Sequence, residues 1–350
     1  MLVETFPEYQ VENISVAEVV KHHKSWIAPN LWYVARECGR ALAARRLTLR
    51  EAYFRTTYTF TRLHEAMRGL IRPGHHTFSF QMQSMYDTSV PGVPHFIYTD
   101  HTHLSNLRYP DFDRSTLRSP QWLALERRSY ENATVVFTRS TDVAEDLRRF
   151  YAIPEDKIEC VYAGSNVDTT HCGPPDNADY SNQRILFVGI DWVRKGGPEL
   201  VEAFRRVLQQ YPKAHLTIAG ADTPVDLPNC TVLGRIPAQE LVRHYAQSSI
   251  FCLPTRHEPF GIAFVEAMMH RLPVIGTRIG AIPDMVEDGI NGYLVDPGDT
   301  GAIVKALGKL LADPAHCRLL GERSYERALD LYTWQRTGQR IRARIERSLV

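Results

Sequence analysis

Two glutamates flank a helix-start signal in the stretch PTRHEPFGIAFVEAMMH, residues 254–270. Glu258 precedes Pro259-Phe260-Gly261, and Glu266 lies inside the helix that we predict to begin at about Ile262. The first N–H groups of that helix would form a binding site for an anion. A carboxylate at the helix start and another about one turn along could each bind hydroxyl groups beside a phosphate. Ribose, pyrophosphate and hexose follow one another in this way in a nucleotide-diphosphate sugar.

A longer stretch around these glutamates resembles a known family. Residues 257–299, HEPFGIAFVEAMMHRLPVIGTRIGAIPDMVEDGINGYLVDPGD, are similar to the donor-binding region of the retaining family-4 glycosyltransferases (glycosyl transferases group 1), which have the GT-B fold. The resemblance implies that Glu258 is catalytic and binds hydroxyl groups of the donor sugar, and that Glu266 binds the ribose. It also implies that the donor is bound by backbone N–H groups of Phe260, Gly261, Ile262, Gly280, Ala281 and Ile282. The family often has Gly-Gly where this chain has Gly280-Ala281, and a negative φ at Ala281 would accommodate the change.

A second match, LFVGIDWVRKGGPELVEAF at residues 186–204, resembles the phosphate loop of the same family. The resemblance implies that Lys195 is catalytic, because its ammonium group would neutralise charge on the departing diphosphate. Members of the family often carry an arginine directly after the first glycine, where this chain has Ile190. Arg194 is our candidate to replace that cation in donor binding. Two cations at the start of a helix oppose its dipole, and this conflict itself indicates an anionic ligand.

A third candidate site lies in the first half of the chain, in YTDHTHLSN at residues 98–106. In the family, a histidine at the end of an N-domain strand faces the donor sugar. His101 is the best match for this catalytic histidine, and His103 is the alternate. A His-x-His pair could also bind zinc, or it could have a purely structural role. Zinc hydrolases need further ligands at later strand ends, where this sequence has Gly, Pro and Thr.

The overall composition is that of a globular protein with room for two domains. The chain has 350 residues, of which 44% are hydrophobic and 23% charged, and a net charge of +1 argues against a general nucleic-acid binder. Its six cysteines form no C-x-x-C pairs, which argues against a disulfide framework and a zinc knuckle. We therefore predict a cytoplasmic location. The basic segments 37–55 and 331–350 leave peripheral contact with the inner face of the plasma membrane open.

Strands alternate with helices along much of the sequence, which predicts an α/β protein with parallel sheets. Apolar runs predict strands at 77–84, 95–100, 133–140, 184–189, 215–220, 230–234, 250–254 and 273–277. Helical patterns occupy 123–133, 141–152, 198–211 and 238–249, and residues 15–72 are mostly helical. Together with the resemblance, these elements predict two Rossmann-like domains facing each other across a cleft.

The domain boundary is predicted in the stretch richest in Gly, Pro, Asn and Asp, residues 170–183. We assign residues 1–178 to an acceptor-binding domain, 179–334 to a donor-binding domain and 335–350 to a helix that returns to the first domain. Residues 1–20 lack the apolar strand and Gly-rich loop with which the family usually opens. The start of the first domain is therefore expected to be atypical or shortened.

The resemblance implies a hexosyltransferase that retains the anomeric configuration. Its donor would be a nucleotide-diphosphate sugar, and its acceptor a hydroxyl group of a glycan, a lipid-linked sugar or a small molecule. The reaction would need no cofactor and no metal ion, and nucleic acid is not an expected partner. Three alternatives stay open: an inactive or partner-dependent subunit that binds nucleotide sugars or glycans, a nucleotide-sugar epimerase, and a phosphorylase with pyridoxal phosphate.

Overall fold

The structure is a computed structural model that describes residues 1–166 and 179–349. The chain divides into two compact units: unit 1 comprises Met1–Val161 and Gln339–Val350, and unit 2 comprises Tyr162–Gly338. The predicted linker at 170–183 lies largely outside the described residues, so its assignment stays a prediction. Among the described residues, none of the helices combines the length and the hydropathy needed to span a bilayer.

The helices and strands follow one another along both units. The strands are β1 Ser79–Met82, β2 His95–Thr99, β3 Val135–Thr138, β4 Ile158–Cys160, β5 Arg184–Val188, β6 His215–Ala219, β7 Cys230–Gly234, β8 Ile250–Leu253, β9 Val274–Thr277 and β10 Gly292–Val295. The α-helices are α1 Leu2–Thr5, α2 Val16–His22, α3 Ile27–Tyr33, α4 Gly39–Ala43, α5 Leu49–Phe54, α6 Thr57–Leu70, α7 Pro120–Asn132, α8 Thr141–Tyr151, α9 Gly197–Gln210, α10 Ala238–Gln247, α11 Ile262–Met269, α12 Ile282–Met285, α13 Thr300–Ala312, α14 Pro314–Leu331 and α15 Trp334–Leu349.

Unit 1 contains a parallel sheet in the order β1-β2-β3-β4. All residues of β2 and β3 are buried, as expected for parallel strands that are covered on both faces. Ser140 caps α8 by accepting a hydrogen bond from the Val143 N–H at 3.2 Å. The sequence pattern does not predict β4, because Glu159 interrupts its three residues and none of them is fully buried.

Helices precede the sheet in unit 1, which confirms the prediction for residues 15–72. Val19 and Val20 of α2 pack with Trp26 and with Leu63 and Met67 of α6 in one apolar cluster. Among the described residues, no strand precedes β1, and the expectation of an atypical or shortened start stays a prediction.

The sheet of unit 2 is parallel and has the order β10-β9-β8-β5-β6-β7. From β5 the chain proceeds outward through β6 to β7, and it then crosses back to β8 on the other side of β5. The strand order therefore reverses between β5 and β8. In open α/β sheets, ligands bind at the carboxyl ends of the strands next to such a switch point.

The last helix carries the chain back into unit 1, as predicted. Residues 339–350 belong to that unit. The guanidinium of Arg342 donates to the Thr5 carbonyl at the end of α1 at 2.6 Å, and it pairs with Glu8 at 2.8 Å.

Candidate functional site

The loops after β5 and β8 meet at the switch point of unit 2. The Arg194 carbonyl, in the first loop, accepts hydrogen bonds from the Arg256 N–H at 2.8 Å and from the Thr255 hydroxyl at 3.0 Å in the second. Gly196 allows this approach: its φ is +76°, and an added Cβ would lie 1.9 Å from the Pro254 carbonyl oxygen. The two loops are thus held in direct backbone contact.

Lys195 and Glu258 form an ion pair across these two loops. The Lys195 ammonium donates to the Glu258 carboxylate, and the side chains are only 14% and 8% exposed. The stem of Lys195 lies over Gly189, where an added Cβ would come within 2.8 Å of the Lys195 Cγ. Both charges are largely removed from water, and a largely buried charge is costly unless it is paired. The structure therefore joins two of the predicted catalytic residues.

The helix start beside Glu258 lies where the sequence predicts it. Gly261 is the residue before α11 and has a φ of +96°, which favours glycine. An added Cβ at this position would come within 3.2 Å of the Glu258 Cγ. The first N–H groups of α11, at Ile262 and Ala263, have no acceptor within the helix. Phe260 is only 5% exposed, so its ring belongs to the core, and the donor contact predicted for its backbone N–H stays a prediction.

Glu266 lies one turn inside α11, and its carboxylate accepts a hydrogen bond from the Tyr245 hydroxyl at 3.1 Å. Burial raises the pKa of Glu266, and the bond from Tyr245 opposes this shift. Tyr245 is fully buried on α10, and its ring stacks on His270. Tyr245 is not among the residues predicted from the sequence. The available signal is that a tyrosine on the buried face of a helix needs a partner for its hydroxyl.

Arg194 holds the two loops together. Its guanidinium donates to the Asp191 carboxylate at 3.2 Å and to the His257 carbonyl at 2.8 Å. These bonds direct the charge of Arg194 toward its own loop and the Glu258 loop. Ile190 and Val193 of the same loop are 63% and 62% exposed.

A third loop at this edge of the sheet follows β9, the strand next to β8. Gly280 has a φ of +51°, and Ala281 has a φ of −78°, the negative value that the Gly-Ala sequence requires. The Ile282 N–H donates to the Ile279 carbonyl at 3.2 Å, so this predicted donor is already used within the loop. Gly280 is partly exposed and Ala281 only 1% exposed, and the donor contacts predicted for both stay predictions. The Thr277 hydroxyl donates to the Thr255 carbonyl at 2.6 Å and holds the β9 loop beside the β8 loop.

His101 and His103 follow β2 in unit 1. The His101 carbonyl accepts hydrogen bonds from the Thr99 and Ser84 hydroxyls at 2.7 and 3.3 Å. Burial lowers the pKa of His101, so its ring is neutral at neutral pH. The His103 ring accepts the Arg118 N–H at 3.0 Å, and burial lowers its pKa to about 4. The choice of His101 over His103 as the catalytic histidine stays a prediction from the resemblance.

Zinc binding by these histidines gains no support from their surroundings. Among the described residues, one group of His, Cys, Asp or Glu side chains brings its ligand atoms close enough to hold a metal ion, and it consists of Glu12, His75 and His76. His101 and His103 are not part of it.

Glu126 of α7 was not predicted, yet it holds the loop that carries His101. Its buried carboxylate accepts the His103 N–H at 2.9 Å, the Tyr130 hydroxyl at 3.2 Å and the Tyr151 hydroxyl. The Tyr151 oxygen in turn accepts the Leu104 N–H at 3.0 Å. The signal was present in the sequence, since Glu126 lies one helical turn before Tyr130 on the apolar side of the helix.

We expect Glu126→Gln to change the pH dependence of stability. Burial raises the pKa of Glu126 to about 7 from an ordinary value of 4.5, despite the bonds from Tyr151, His103 and Tyr130. A carboxyl whose folded-state pKa is raised contributes most stability below pH ~4.5 and loses it as the pH rises through ~7. The wild type should therefore lose up to about 3 kcal/mol between these limits that the Gln variant does not lose.

Urea unfolding midpoints at acidic and at mildly alkaline pH measure this difference. Glu131→Gln on the same helix is the control, because its side chain is 49% exposed. Equal pH slopes for the wild type and Glu126→Gln would contradict the assignment.

Two family models match the chain. One, described as Glycosyl transferases group 1, matches residues 182–313, and the other, described as Glycosyltransferase Family 4, matches residues 73–169. A curated relative from Mycolicibacterium smegmatis, GDP-mannose-dependent alpha-(1-6)-phosphatidylinositol monomannoside mannosyltransferase, is 32% identical over 166 residues, which cover 42% of this chain and 44% of the relative. The chain spans about half the length of the curated relatives it matches.

Solved structures share the architecture at low sequence identity. Sucrose-phosphate synthase from Thermosynechococcus elongatus matches with a TM-score of 0.66 and 22% identity, covering 83% of this chain and 78% of that one. Anabaena HepE in complex with UDP and glucose matches with a TM-score of 0.56 and 16% identity, covering 73% and 72% of the two chains. These likenesses show the fold, which is the predicted GT-B fold.

Proposed function

We propose that this chain, which belongs to the group 1 and family 4 glycosyltransferases, transfers a hexosyl group from a nucleotide-diphosphate sugar to a hydroxyl acceptor with retention at the anomeric carbon. The observation that carries the proposal is the buried Lys195–Glu258 pair at the β5–β8 switch point, next to the start of α11. A donor offers a partner to each charge, since its diphosphate suits the ammonium and its sugar hydroxyls suit the carboxylate.

In the proposed reaction, charge that develops on the departing diphosphate is stabilised from two directions. The Lys195 ammonium supplies a full positive charge, and the N–H groups at Ile262 and Ala263 supply the partial charge of a helix start. Glu258 would hold hydroxyl groups of the transferred sugar. Glu266 would hold the ribose hydroxyls, with Tyr245 orienting its carboxylate.

Retention would follow from attack on the face that the diphosphate leaves. The acceptor oxygen forms a bond to the anomeric carbon while the bond from that carbon to the diphosphate oxygen breaks. The acceptor proton moves to a phosphate oxygen, and a nucleoside diphosphate departs. No protein nucleophile takes part. The role of His101 stays a prediction from the resemblance, in which its neutral ring orients a substrate hydroxyl.

The nature of both substrates is also proposed. The names of relatives favour a GDP-sugar or UDP-sugar donor, and one relative acts on a lipid-linked acceptor.

The proposal also includes the domain assignment and the location. Residues 1–178 would bind the acceptor, residues 179–334 would bind the donor, and residues 335–350 would form the returning helix. The proposed location is the cytoplasm.

A nucleotide panel tests the proposal. UDP, GDP, ADP and the common nucleotide sugars derived from each would be added separately to the full chain. The unfolding temperature of the protein would be measured with each ligand. A ligand present at a hundred times its dissociation constant should stabilise the fold by about 2.7 kcal/mol. We expect one nucleotide series to stabilise the protein, and Lys195→Met to lose most of that effect. If no nucleotide or nucleotide sugar shifts the transition, the proposal is wrong.

Product analysis separates the alternatives once a donor is found. Transfer to a hydroxyl acceptor supports the proposed activity. Conversion of the donor sugar without an acceptor would indicate an epimerase. Tight donor binding without transfer to any acceptor would indicate a binding subunit.

A further inference from the structure

Residues 24–43 form a nearly continuous helical stretch in unit 1. A 3-10 turn at Lys24–Trp26 leads into α3, and a π-helical turn at Val34–Cys38 leads into α4. One side of this stretch is buried at every fourth position, at Trp26, Asn30, Val34 and Cys38. Trp26 packs in a cluster with Leu63, while Val34 and Cys38 pack with Ala52. This side attaches the stretch to the rest of unit 1.

The opposite side of the stretch is also apolar, although it faces solvent. Ile27, Leu31 and Trp32 are 49%, 45% and 57% exposed, and Ala28 and Ala35 beside them are exposed as well. We name these five residues the apolar face. A helix on a protein surface normally turns polar residues to water. An exposed set of large apolar side chains on one helix therefore indicates a surface that binds something.

Cations lie at both ends of the apolar face. Lys24, Arg36 and Arg40 are exposed, and none of them pairs with a carboxylate within the described residues. The Arg36 guanidinium lies 5.2 Å from the centre of the Trp32 ring. Glu37 is the acid of this stretch, and its carboxylate accepts the Thr57 N–H of α6 at 2.9 Å. The apolar face is thus bordered by unpaired positive charge.

Several arginines of the two basic segments singled out in the sequence are less suited to bind an anionic surface, because they pair with carboxylates. In α15, Arg342 pairs with Glu8, and Arg344 and Arg347 both pair with Glu159. Arg46 pairs with Asp113. These arginines are largely neutralised by carboxylates of unit 1, whereas the cations beside the apolar face are not.

We propose that the apolar face docks on a bilayer surface that contains anionic phospholipid. Ile27, Leu31 and Trp32 enter the boundary between headgroups and acyl chains, and Lys24 and Arg36 contact phosphate groups. Tryptophan and arginine side chains are suited to this boundary because each combines an apolar body with a polar end. A second copy of the chain is a poorer occupant, since it would bring two unpaired cationic surfaces together. Docking does not depend on the proposed transfer reaction.

Vesicle sedimentation tests the apolar part of the surface. The full chain should bind vesicles of equal parts phosphatidylcholine and phosphatidylglycerol, and the triple variant Ile27→Ser, Leu31→Ser, Trp32→Ser should bind at least about tenfold more weakly. The control is Leu319→Ser with Leu329→Ser, two leucines of α14 that are 48% and 42% exposed. Absent binding by the wild type, or equal binding by the triple variant, would overturn the proposal.

Charge reversal tests the cationic part. Arg36→Glu with Arg40→Glu should weaken binding by at least about tenfold, and added salt should weaken wild-type binding. Lys305→Glu with Arg323→Glu makes the same change in net charge at exposed positions of unit 2 and should have little effect. Equal losses in both charge variants would overturn the proposal, because they would show that net charge alone determines binding. Sedimentation equilibrium without lipid supplies the other decisive result: dimerisation that the triple serine variant abolishes would assign the face to a second copy.

Discussion

Replacing Lys195 with methionine should lower the rate of donor turnover by about 10- to 1000-fold. Methionine keeps the stem that packs over Gly189 and removes only the ammonium group. The diphosphate then leaves without its full positive charge, so the barrier to bond breaking rises. Release of nucleoside diphosphate from the donor measures the loss. Glu258→Gln and Glu266→Ala should lower turnover within the same range.

The Lys195–Glu258 pair also provides a way to separate stability from catalysis. Either single variant leaves one largely buried charge without its partner, and this should destabilise unit 2. The double variant Lys195→Met, Glu258→Gln removes both charges, so it should recover thermal stability while turnover stays low. Lys213→Met, at an exposed position, is the control. Wild-type turnover in the well-folded double variant would argue against the proposed site.

Gly196→Ala should destabilise unit 2 by about 3 kcal/mol or more. The new Cβ would lie 1.9 Å from the Pro254 carbonyl oxygen, and the φ of +76° is strained for alanine. The two atoms nearest to the new Cβ are the carbonyl oxygen and carbonyl carbon of Pro254. Both belong to the backbone, so no side-chain rotation relieves the clash. If the loops separate instead, Lys195 moves away from Glu258 and donor affinity falls. Urea unfolding and donor titration together measure the two outcomes.

Gly308→Ala is the matched control for this prediction. Gly308 lies inside α13, and an added Cβ would have no neighbour within 4 Å. Alanine should therefore stabilise this helix by about 0.5–1 kcal/mol. Should Gly196→Ala unfold at the wild-type urea concentration and bind donor normally, the close contact between the β5 and β8 loops would be refuted.

Much of the candidate site is predictable because its signals are local. The α11 start, the glycine before it and the two glutamates lie within one short stretch, so capping rules and helical spacing suffice to place them. The strands β5, β6 and β8 are equally readable as short apolar runs bounded by turn residues. In contrast, β4 is missed because Glu159 breaks its pattern.

Partners distant in the chain could not be predicted in this way. Tyr245 and Glu126 are ordinary members of helical patterns until the fold buries their polar atoms, and only then does each need a specific hydrogen bond. Arg194, predicted as a donor contact, also has one distant partner, since its guanidinium bonds to the His257 carbonyl as well as to the nearby Asp191 carboxylate.

The sequence by itself determined the α/β class and the strand–loop–helix units, and it predicted which residues could bind a nucleotide sugar. These depend on the order of neighbouring side chains along the backbone. Only the tertiary structure decided which of them meet. Lys195 and Glu258 are 63 positions apart, and they pair because β8 lies beside β5 rather than beside β7, its predecessor in the chain. Tertiary packing also decides which side of residues 24–36 is exposed. Apolar residues cover both sides of that helical stretch, and packing buries only one of them.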